Sequence, residues 1–292
     1  MATLNATKTK APASLRARPL WTIVRKSPRT IIGGVVLLII VLAAVFADAI
    51  SPYPPNQQNL RERLQPPSAE HVLGTDQFGR DVLSRIIYGG RVSLQVGFIA
   101  VGIALAIGGL MGLIAAFYGR WVDSVVSGLV DVLLALPGFL LALAIVAALG
   151  PSLVNVMIAV GIAYVPHFAR ITRSAVLQVI EMDYVTAATA AGSRDMRIMF
   201  KHVVPNSLSP VIVQVTLALA GAILSAAGLS FLGLGAQPPT AEWGSMLSQA
   251  QLFLRLDPWM AFAPGIAITL AVLGFNLLGD GLRDVLDPTL RA

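Results

Sequence analysis

Asp131 lies deeper within an apolar stretch than any other charged residue of this sequence, about seven residues into the segment 124–149. A charged side chain at the centre of a bilayer costs about 2.5–3.5 kcal/mol on insertion scales, so such residues usually face water or a neighbouring helix. Asp131 is therefore a candidate for a pore role or an inter-helix role. The alternative is an acid that snorkels to the membrane surface or pairs locally, and the sequence leaves both interpretations open.

Residues 183–206, DYVTAATAAGSRDMRIMFKHVVPN, form a polar island between long apolar stretches and carry three basic residues. Asp183 is a good N-cap for a helix that starts at Tyr184. Gly192 suits the position after the end of that helix, because glycine adopts a positive φ without a Cβ penalty. The pattern predicts a short helix followed by a glycine turn.

A second short helix is predicted after the turn, with Ser193 or Asp195 as its cap. Its apolar residues recur at helical spacing and are expected to share one face: Met196, Met199, Phe200 and Val203. Pro205 is expected to end this helix, because proline has no N–H group to donate to the preceding turn. The island is thus predicted to form two short helices at the membrane surface.

The first of these helices has an unusually small surface. Ala187 and Ala191 are four residues apart and so lie on one face, beside Ala188. Methyl groups bury too little area to form a core or to hold a helix in lipid. A flat, small face suits insertion into a cleft of a larger protein. The plainer interpretation, an amphipathic surface helix with basic neighbours, stays open.

No motif in the sequence indicates catalysis. A Walker A loop needs a lysine that follows a glycine, and none of the four lysines does so. The chain has no cysteine and no HExxH segment, which excludes thiolate metal ligands and the zinc-protease pattern. We therefore predict no enzyme activity, catalytic residue, metal site or cofactor. The basic residues form no stripe, so we also expect no nucleic-acid partner.

The composition indicates a membrane protein. Of the 292 residues, 56% are hydrophobic and only 12% are charged, whereas soluble domains carry about 25% charged residues. Six segments are apolar over roughly the 20 residues that a membrane-spanning helix needs: 31–50, 94–117, 124–149, 152–169, 211–234 and 260–278. The sequence predicts an all-α membrane protein with six transmembrane helices.

Lysine and arginine counts predict the orientation. With both termini in the cytoplasm, the cytoplasmic segments carry 15 of these residues and the external segments carry 6, as the positive-inside rule favours. The predicted organisation has four parts: a cytoplasmic tail and interfacial segment (1–30), a membrane anchor (31–50), an external segment (51–93) and a core domain with five transmembrane helices (94–292).

Two further patterns concern packing. Apolar residues from Val82 to Ile87 share a helix face, and we expect Gly89-Gly90 to stop that helix before the second span. This short helix is interpreted as an interfacial connector or as a docking element for an external partner. Small residues recur every four positions at Gly108 and Gly112, and again at 218, 222 and 226. They predict close helix packing, within the chain or against a second subunit.

The island resembles the cytoplasmic EAA loop of ATP-binding-cassette importer permeases. In that family the loop has Glu-Ala-Ala, three residues, Gly, nine residues, Ile, one residue and Leu-Pro. The segment 186–205 keeps every one of these spacings. Thr186, His202 and Val204 replace the acid, the isoleucine and the leucine of the family pattern.

Three more segments resemble the C-type permease of dipeptide, oligopeptide and nickel importers: LGTDQFGRDVLSRIIYGGRVSL (73–94), SFLGLGAQPPTAEWGSML (230–247) and LGFNLLGDGLRDVLDP (273–288). They imply a multi-pass permease of the bacterial inner membrane that forms half of a translocation path. They also imply a heterodimer with a second permease, two cytoplasmic ATPase domains and an external substrate-binding protein.

The resemblance implies a site as well as partners. The residues expected to couple the chain to the ATPase are Thr186, Ala187, Ala188, Ala191, Gly192, Arg194 and Pro205. Dipeptides or oligopeptides are the expected substrates, with nickel or another small solute as the alternative. An ion-coupled secondary transporter is the rival class. It would need acids or broken helices in corresponding halves of the chain, and Asp131 alone is a candidate.

Overall fold

A computed structural model describes residues 28–286, and the predictions for the tail at 1–27 lie outside that range. The helices are α1 (Pro28–Val45), α2 (Ala47–Ile50), α3 (Val82–Tyr118), α4 (Arg120–Leu134), α5 (Gly138–Leu149), α6 (Leu153–Ile180), α7 (Asp183–Ala190), α8 (Asp195–Ile198), α9 (Val204–Phe231), α10 (Trp243–Ala250) and α11 (Trp259–Leu286). A π-helical turn, Met199–Val203, joins α8 to α9. Two short 3-10 turns lie at Leu60–Glu62 and Gln251–Phe253.

Five continuous helices in the described range are long and apolar enough to cross a membrane, and α4 with α5 forms a sixth, broken candidate. The all-α membrane fold predicted from the sequence is therefore confirmed. The predicted span over 124–149 is divided between two helices, because α4 and α5 meet at an angle of 86°. Pro137 lies at this break as the N-cap of α5, where its ring disfavours a helical residue before it.

The packing of α3 against α6 determines how the chain crosses the bundle. Gly161 lies against Ala100 and Ile103, whereas Gly112 lies against the backbone of residues 169–173. Contacts therefore advance along both helices together, which means that α3 and α6 run parallel. The chain between them must return to the side from which α3 started, and α4 with α5 carries it back.

The remaining spans alternate in direction. Gly33 packs on Gly274 and Gly281 packs on Thr30, so α11 runs antiparallel to α1. Both ends of the described chain consequently lie on one side of the bundle, together with α7 and α8. We call this the terminal side. The opposite distal side carries residues 46–81, the turn at Gly150 and residues 232–258.

The predicted stop at Gly89-Gly90 is wrong. Helix α3 is continuous from Val82 to Tyr118 and includes the segment predicted as a separate connector. Both glycines lie against the indole of Trp243, where added Cβ atoms would come within 3.1 Å and 3.0 Å of the ring. The missing side chains therefore make room for a tryptophan from a distant part of the sequence, and the helix continues past them.

Two other predicted boundaries were too narrow. Helix α6 extends to Ile180, eleven residues beyond the predicted end at 169. The fifth span continues through the π turn from Asp195 and ends at Phe231. In both cases the additional turns contain polar residues and so were not counted in the apolar segment, although tertiary contacts keep them helical.

Small residues give the bundle its close contacts, as the sequence predicted. Gly108, Gly112 and the alanines at 218, 222 and 226 are buried. At Gly108 an added Cβ would overlap the carbonyl oxygen of Val165. Because lipid provides no hydrophobic drive between helices, such close backbone contact is a main source of association.

We predict opposite effects for two alanine substitutions in α3. Gly108→Ala should lower the apparent melting temperature of the purified protein, since overpacking costs about 1–3 kcal/mol. Gly102→Ala is the matched control, because nothing lies within 4 Å of an added Cβ there. Alanine is also the better helix former by about 1 kcal/mol. Equal melting temperatures would contradict the α3–α6 contact.

Candidate functional site

Helix α7 ends in a capped turn of defined geometry. The Gly192 N–H donates to the carbonyl of Thr189 at 2.9 Å, and the Ser193 N–H donates to that of Ala188 at 3.1 Å. These two bonds form a Schellman motif, which requires a positive φ at the residue after the cap. Gly192 has φ +79°, so the predicted glycine turn is confirmed.

Several details of the island differ from the prediction. The N-cap of α7 is Met182, and Asp183 lies in the first turn, where its charge still favours the helix dipole. Helix α8 starts at Asp195 after Arg194 and has no side-chain cap. Pro205 does not end the second helix but lies in the first turn of α9. The Val204 N–H bonds to Met199, five residues back, so a π turn precedes the proline.

The π turn also changes which residues face inward. Of the four residues predicted to share one face, Met199 and Val203 are buried, whereas Met196 and Phe200 are exposed. The spacing of a regular α-helix cannot predict which residues share a face across a π turn, because each hydrogen bond of that turn spans five residues instead of four.

A compact apolar cluster attaches the island to the bundle. Val185 of α7 is buried in it, together with residues from the surrounding segments: Leu113 and Ala116 of α3, Val176 and Val179 of α6, Ile198 of α8, and Met199 and Val203 of the π turn. We call this set the terminal cluster. Force applied to α7 therefore reaches α3, α6 and α9 through close-packed side chains.

The predicted coupling residues lie together on the terminal side and mostly face away from the bundle. Ala188 is half-buried, whereas the others are exposed: Thr186, Ala187, Ala191, Gly192, Arg194 and Pro205. Four larger apolar side chains of the same segment are between 43% and 59% exposed: Met182, Tyr184, Met196 and Phe200. A terminal surface with this much uncovered apolar area is typical of a protein interaction site.

Asp131 forms an ion pair between two helices, in line with the inter-helix role that was one of the interpretations. Its Oδ1 accepts from Arg170 Nη2 at 2.9 Å. The pair lines a cleft of about 330 Å³ between α4 and α6, with Ser127 and Val130 on the α4 wall. A second pair, Asp123 with Arg173, joins the same two helices. No local sequence pattern indicated these partners, since the paired residues are 39 and 50 residues apart.

The motif at 73–94 forms a buried polar network on the distal side. Asp76 accepts from Arg80 Nε at 2.6 Å and lies 3.6 Å from Arg85 Nε. Arg85 also donates to the backbone of Pro55, and His71 bonds to Asp81 at 2.9 Å. These charged side chains are nearly inaccessible. The motif thus folds the distal loop onto the start of α3, a role that sequence analysis missed.

Glu242 connects this side to the bundle core. Its carboxylate accepts from Ser93 of α3 at 3.1 Å and from the N–H groups of Gly244 and Ser245 at 2.8 Å. Burial raises the pKa of Glu242, while these donors act in the opposite direction. Trp243 donates its indole N–H to Ile86. Helix α10 is therefore bonded to α3 at the distal end.

Comparison with known families agrees with this architecture. Residues 108–292 match the model of the binding-protein-dependent transport system inner membrane component. The chain belongs to this family. Residues 18–67 match the N-terminal transmembrane domain of oligopeptide transport permease C. The chain is thus a multi-pass membrane subunit of a binding-protein-dependent transport system.

Curated relatives are similar over nearly the whole chain. The dipeptide transport system permease protein DppC of Alkalihalophilus pseudofirmus is 51% identical over 92% of this chain and 88% of its own length. The protein of that name in Escherichia coli is 47% identical, with 93% and 92% covered. The di/tripeptide permease DppC of Pseudomonas aeruginosa is 48% identical, with 89% and 88% covered.

Solved structures show the same fold at low sequence identity. The inward-facing MetNI methionine ABC transporter matches with a TM-score of 0.58 and 18% identity, over 69% of this chain and 96% of that chain. An amino acid ABC transporter matches with a TM-score of 0.52 and 18% identity, over 72% of this chain and 94% of that one.

We predict that the distal network is structural. Asp76→Asn should lower the melting temperature strongly, because breaking a buried ion pair costs about 3–5 kcal/mol. Asp48→Asn is the matched control, since Asp48 pairs with Arg91 in a largely exposed position and such pairs contribute little. Similar melting temperatures for both variants would argue against the network.

Proposed function

We propose that this chain is the permease subunit of an ATP-driven importer of dipeptides and oligopeptides in the bacterial inner membrane. The substrate class comes from relatives at 47–51% identity over about nine-tenths of the chain. The terminal side would be cytoplasmic, in agreement with the lysine and arginine counts. The chain would form half of the translocation path and pair with a second permease subunit.

The uncovered small face of α7 is the observation that best supports coupling to an ATPase. Ala187 and Ala191 present only methyl groups, and larger apolar side chains nearby in the sequence are also exposed. This shape fits a helix that enters a groove and is surrounded by the rim of that groove. Two cytoplasmic ATPase domains would supply the hydrolysis, one of them binding this surface. An external binding protein would deliver the substrate at the distal side.

The terminal cluster provides a physical route for coupling. Val185 holds α7 against α6, and Val203 holds the start of α9 in the same cluster. Movement of the ATPase groove would therefore tilt two spans at once rather than bend a loop. Asp131 remains the pore candidate in this proposal, because it lines an open cleft together with its partner Arg170 of α6.

Uptake by reconstituted vesicles tests the substrate and the energy source. With the complete complex and its binding protein, a labelled dipeptide should accumulate only when ATP is supplied on the ATPase side. Collapse of the proton gradient should leave the rate unchanged. Uptake that persists without ATP and follows the proton gradient would favour an ion-coupled transporter. ATP-driven uptake of nickel but not of peptide would support the proposed ATP-driven importer and show that nickel, not peptide, is its substrate.

We predict that Gly192→Val leaves membrane insertion intact but abolishes coupling. A β-branched residue at φ +79° is strained by roughly 1–2 kcal/mol, which should distort the turn between α7 and α8. Uptake and substrate-stimulated ATP hydrolysis should both be lost.

Gly233→Val is the matched control for this variant. Gly233 has φ +81° and closes the same motif at the end of α9, with its N–H on Ser230 and the Leu234 N–H on Leu229. Neither glycine has an atom within 4 Å of an added Cβ. The control should therefore suffer equal strain but retain substrate-stimulated hydrolysis. Normal hydrolysis and uptake in Gly192→Val would refute the role of this turn.

A further inference from the structure

We propose that Asp131 and Arg170 bind the two charged ends of a zwitterionic peptide on the terminal side of the translocation path. This inference rests on the proposed function and adds a residue-level contact for the substrate. Arg170 would bind the peptide carboxylate, and Asp131 would bind the peptide ammonium group.

The two ion pairs between α4 and α6 differ in a way that supports this assignment. Arg173 donates from both Nε and Nη2 to the two carboxylate oxygens of Asp123. In this bidentate pair both carboxylate oxygens of Asp123 accept a hydrogen bond from Arg173, and Asp123 also accepts one from Ser127. The pair is half-buried, with side-chain exposures of 37% and 24%. It is therefore a clamp between α4 and α6.

The Asp131–Arg170 pair is open by comparison. A single bond joins Arg170 Nη2 to Asp131 Oδ1, and within residues 28–286 no other hydrogen bond of either side chain is observed. Arg170 thus keeps unused N–H groups, and Asp131 keeps Oδ2 free. Their side chains are 64% and 67% exposed. A carboxylate and an ammonium group can reach these atoms without the pair having to break.

The surroundings favour a small charged solute over lipid. Both residues lie on helices long or apolar enough to contribute to a membrane span, where exposed charges usually face water rather than hydrocarbon. An exposed pair adds little to stability, so a purely structural role does not account for two charges here. The cleft of about 330 Å³ lies within the range of small-molecule sites, which is about 300–1,000 Å³.

The position of the cleft suits a late step of import. Arg170 lies nearer to the terminal end of α6 than to its distal start. The hydrogen bond between Glu242 and Ser93 of α3 is at the other end of the bundle. A peptide that has passed the distal side would meet this pair shortly before release. Recognition of both ends, rather than of side chains, would suit peptides of varied sequence.

A cysteine reporter in the cleft tests the proposal, because the chain has no cysteine of its own. The complete complex carrying Ser127→Cys is labelled by a water-soluble maleimide from the terminal side, without binding protein. Alanyl-alanine should slow labelling at this position in a saturable way. Gln178→Cys, exposed on α6 outside the cleft, should label at the same rate with or without the dipeptide.

Two comparisons identify the contacts. N-acetyl-alanyl-alanine amide, which has neither charged end, should give no protection. This comparison is made with Asp131 and Arg170 both unmodified. Asp131→Asn and Arg170→Gln should each raise the half-protecting dipeptide concentration by about tenfold or more, because each removes a charge-assisted hydrogen bond. Arg170→Lys should restore part of the protection. Asp123→Asn, the same change in the other pair, should leave the half-protecting concentration unaltered.

Equal protection by the blocked peptide, equal protection in the Asp131 and Arg170 variants, or no protection by the dipeptide would each overturn the inference. These outcomes are separate from a failure of the proposed function. If unmodified vesicles import dipeptide with ATP but labelling at position 127 is unaffected, the function stands and this contact does not. If they import no dipeptide at all, the proposed function itself fails.

Discussion

The parallel contact between α3 and α6 is the constraint on which the remaining architecture depends. Three glycines, Gly108, Gly112 and Gly161, allow the two backbones to meet with no side chain between them. Since the helices run in the same direction, the chain must cross the bundle again in the 34 residues between Tyr118 and Leu153. The break at Pro137 occurs in that returning segment. Close packing of one helix pair thus determines which loops share a side.

The same contact explains how the exposed island is held. Leu113, one residue after Gly112, enters the terminal cluster together with Val176 and Val179 of α6. The cluster therefore begins where the glycine contact ends. Because α7 attaches to this cluster through Val185, its position is determined by the closely packed helices α3 and α6. A bare alanine face on a rigid support can transmit movement, whereas the same face on a free loop could not.

Much of this could be predicted from the sequence because the signals were local. Apolar length identified the spans, and the Schellman turn needs only a glycine after a short helix. The incorrect predictions arise where residues distant in the sequence determine the local structure. Gly89-Gly90 looks like a helix stop until Trp243 fills the space beside it, and Pro205 looks like an end until a π turn precedes it. The ion pairs of Asp123 and Asp131 were beyond prediction, because no local pattern connects α4 with α6.

The attachment of α4 differs from that of every other span, and this bears on how the bundle could change shape. Val130 is its one buried residue in the described structure. Its N-cap Gly119 and its first residue Arg120 both have positive φ, and its end is the 86° break before α5. This helix has bends at both ends and little buried surface, and two ion pairs join it to α6. The Asp123 clamp and the open Asp131 pair are therefore well placed to respond to movement of α6. Since α6 also contributes to the terminal cluster, the cleft and the α7 surface are connected through one helix.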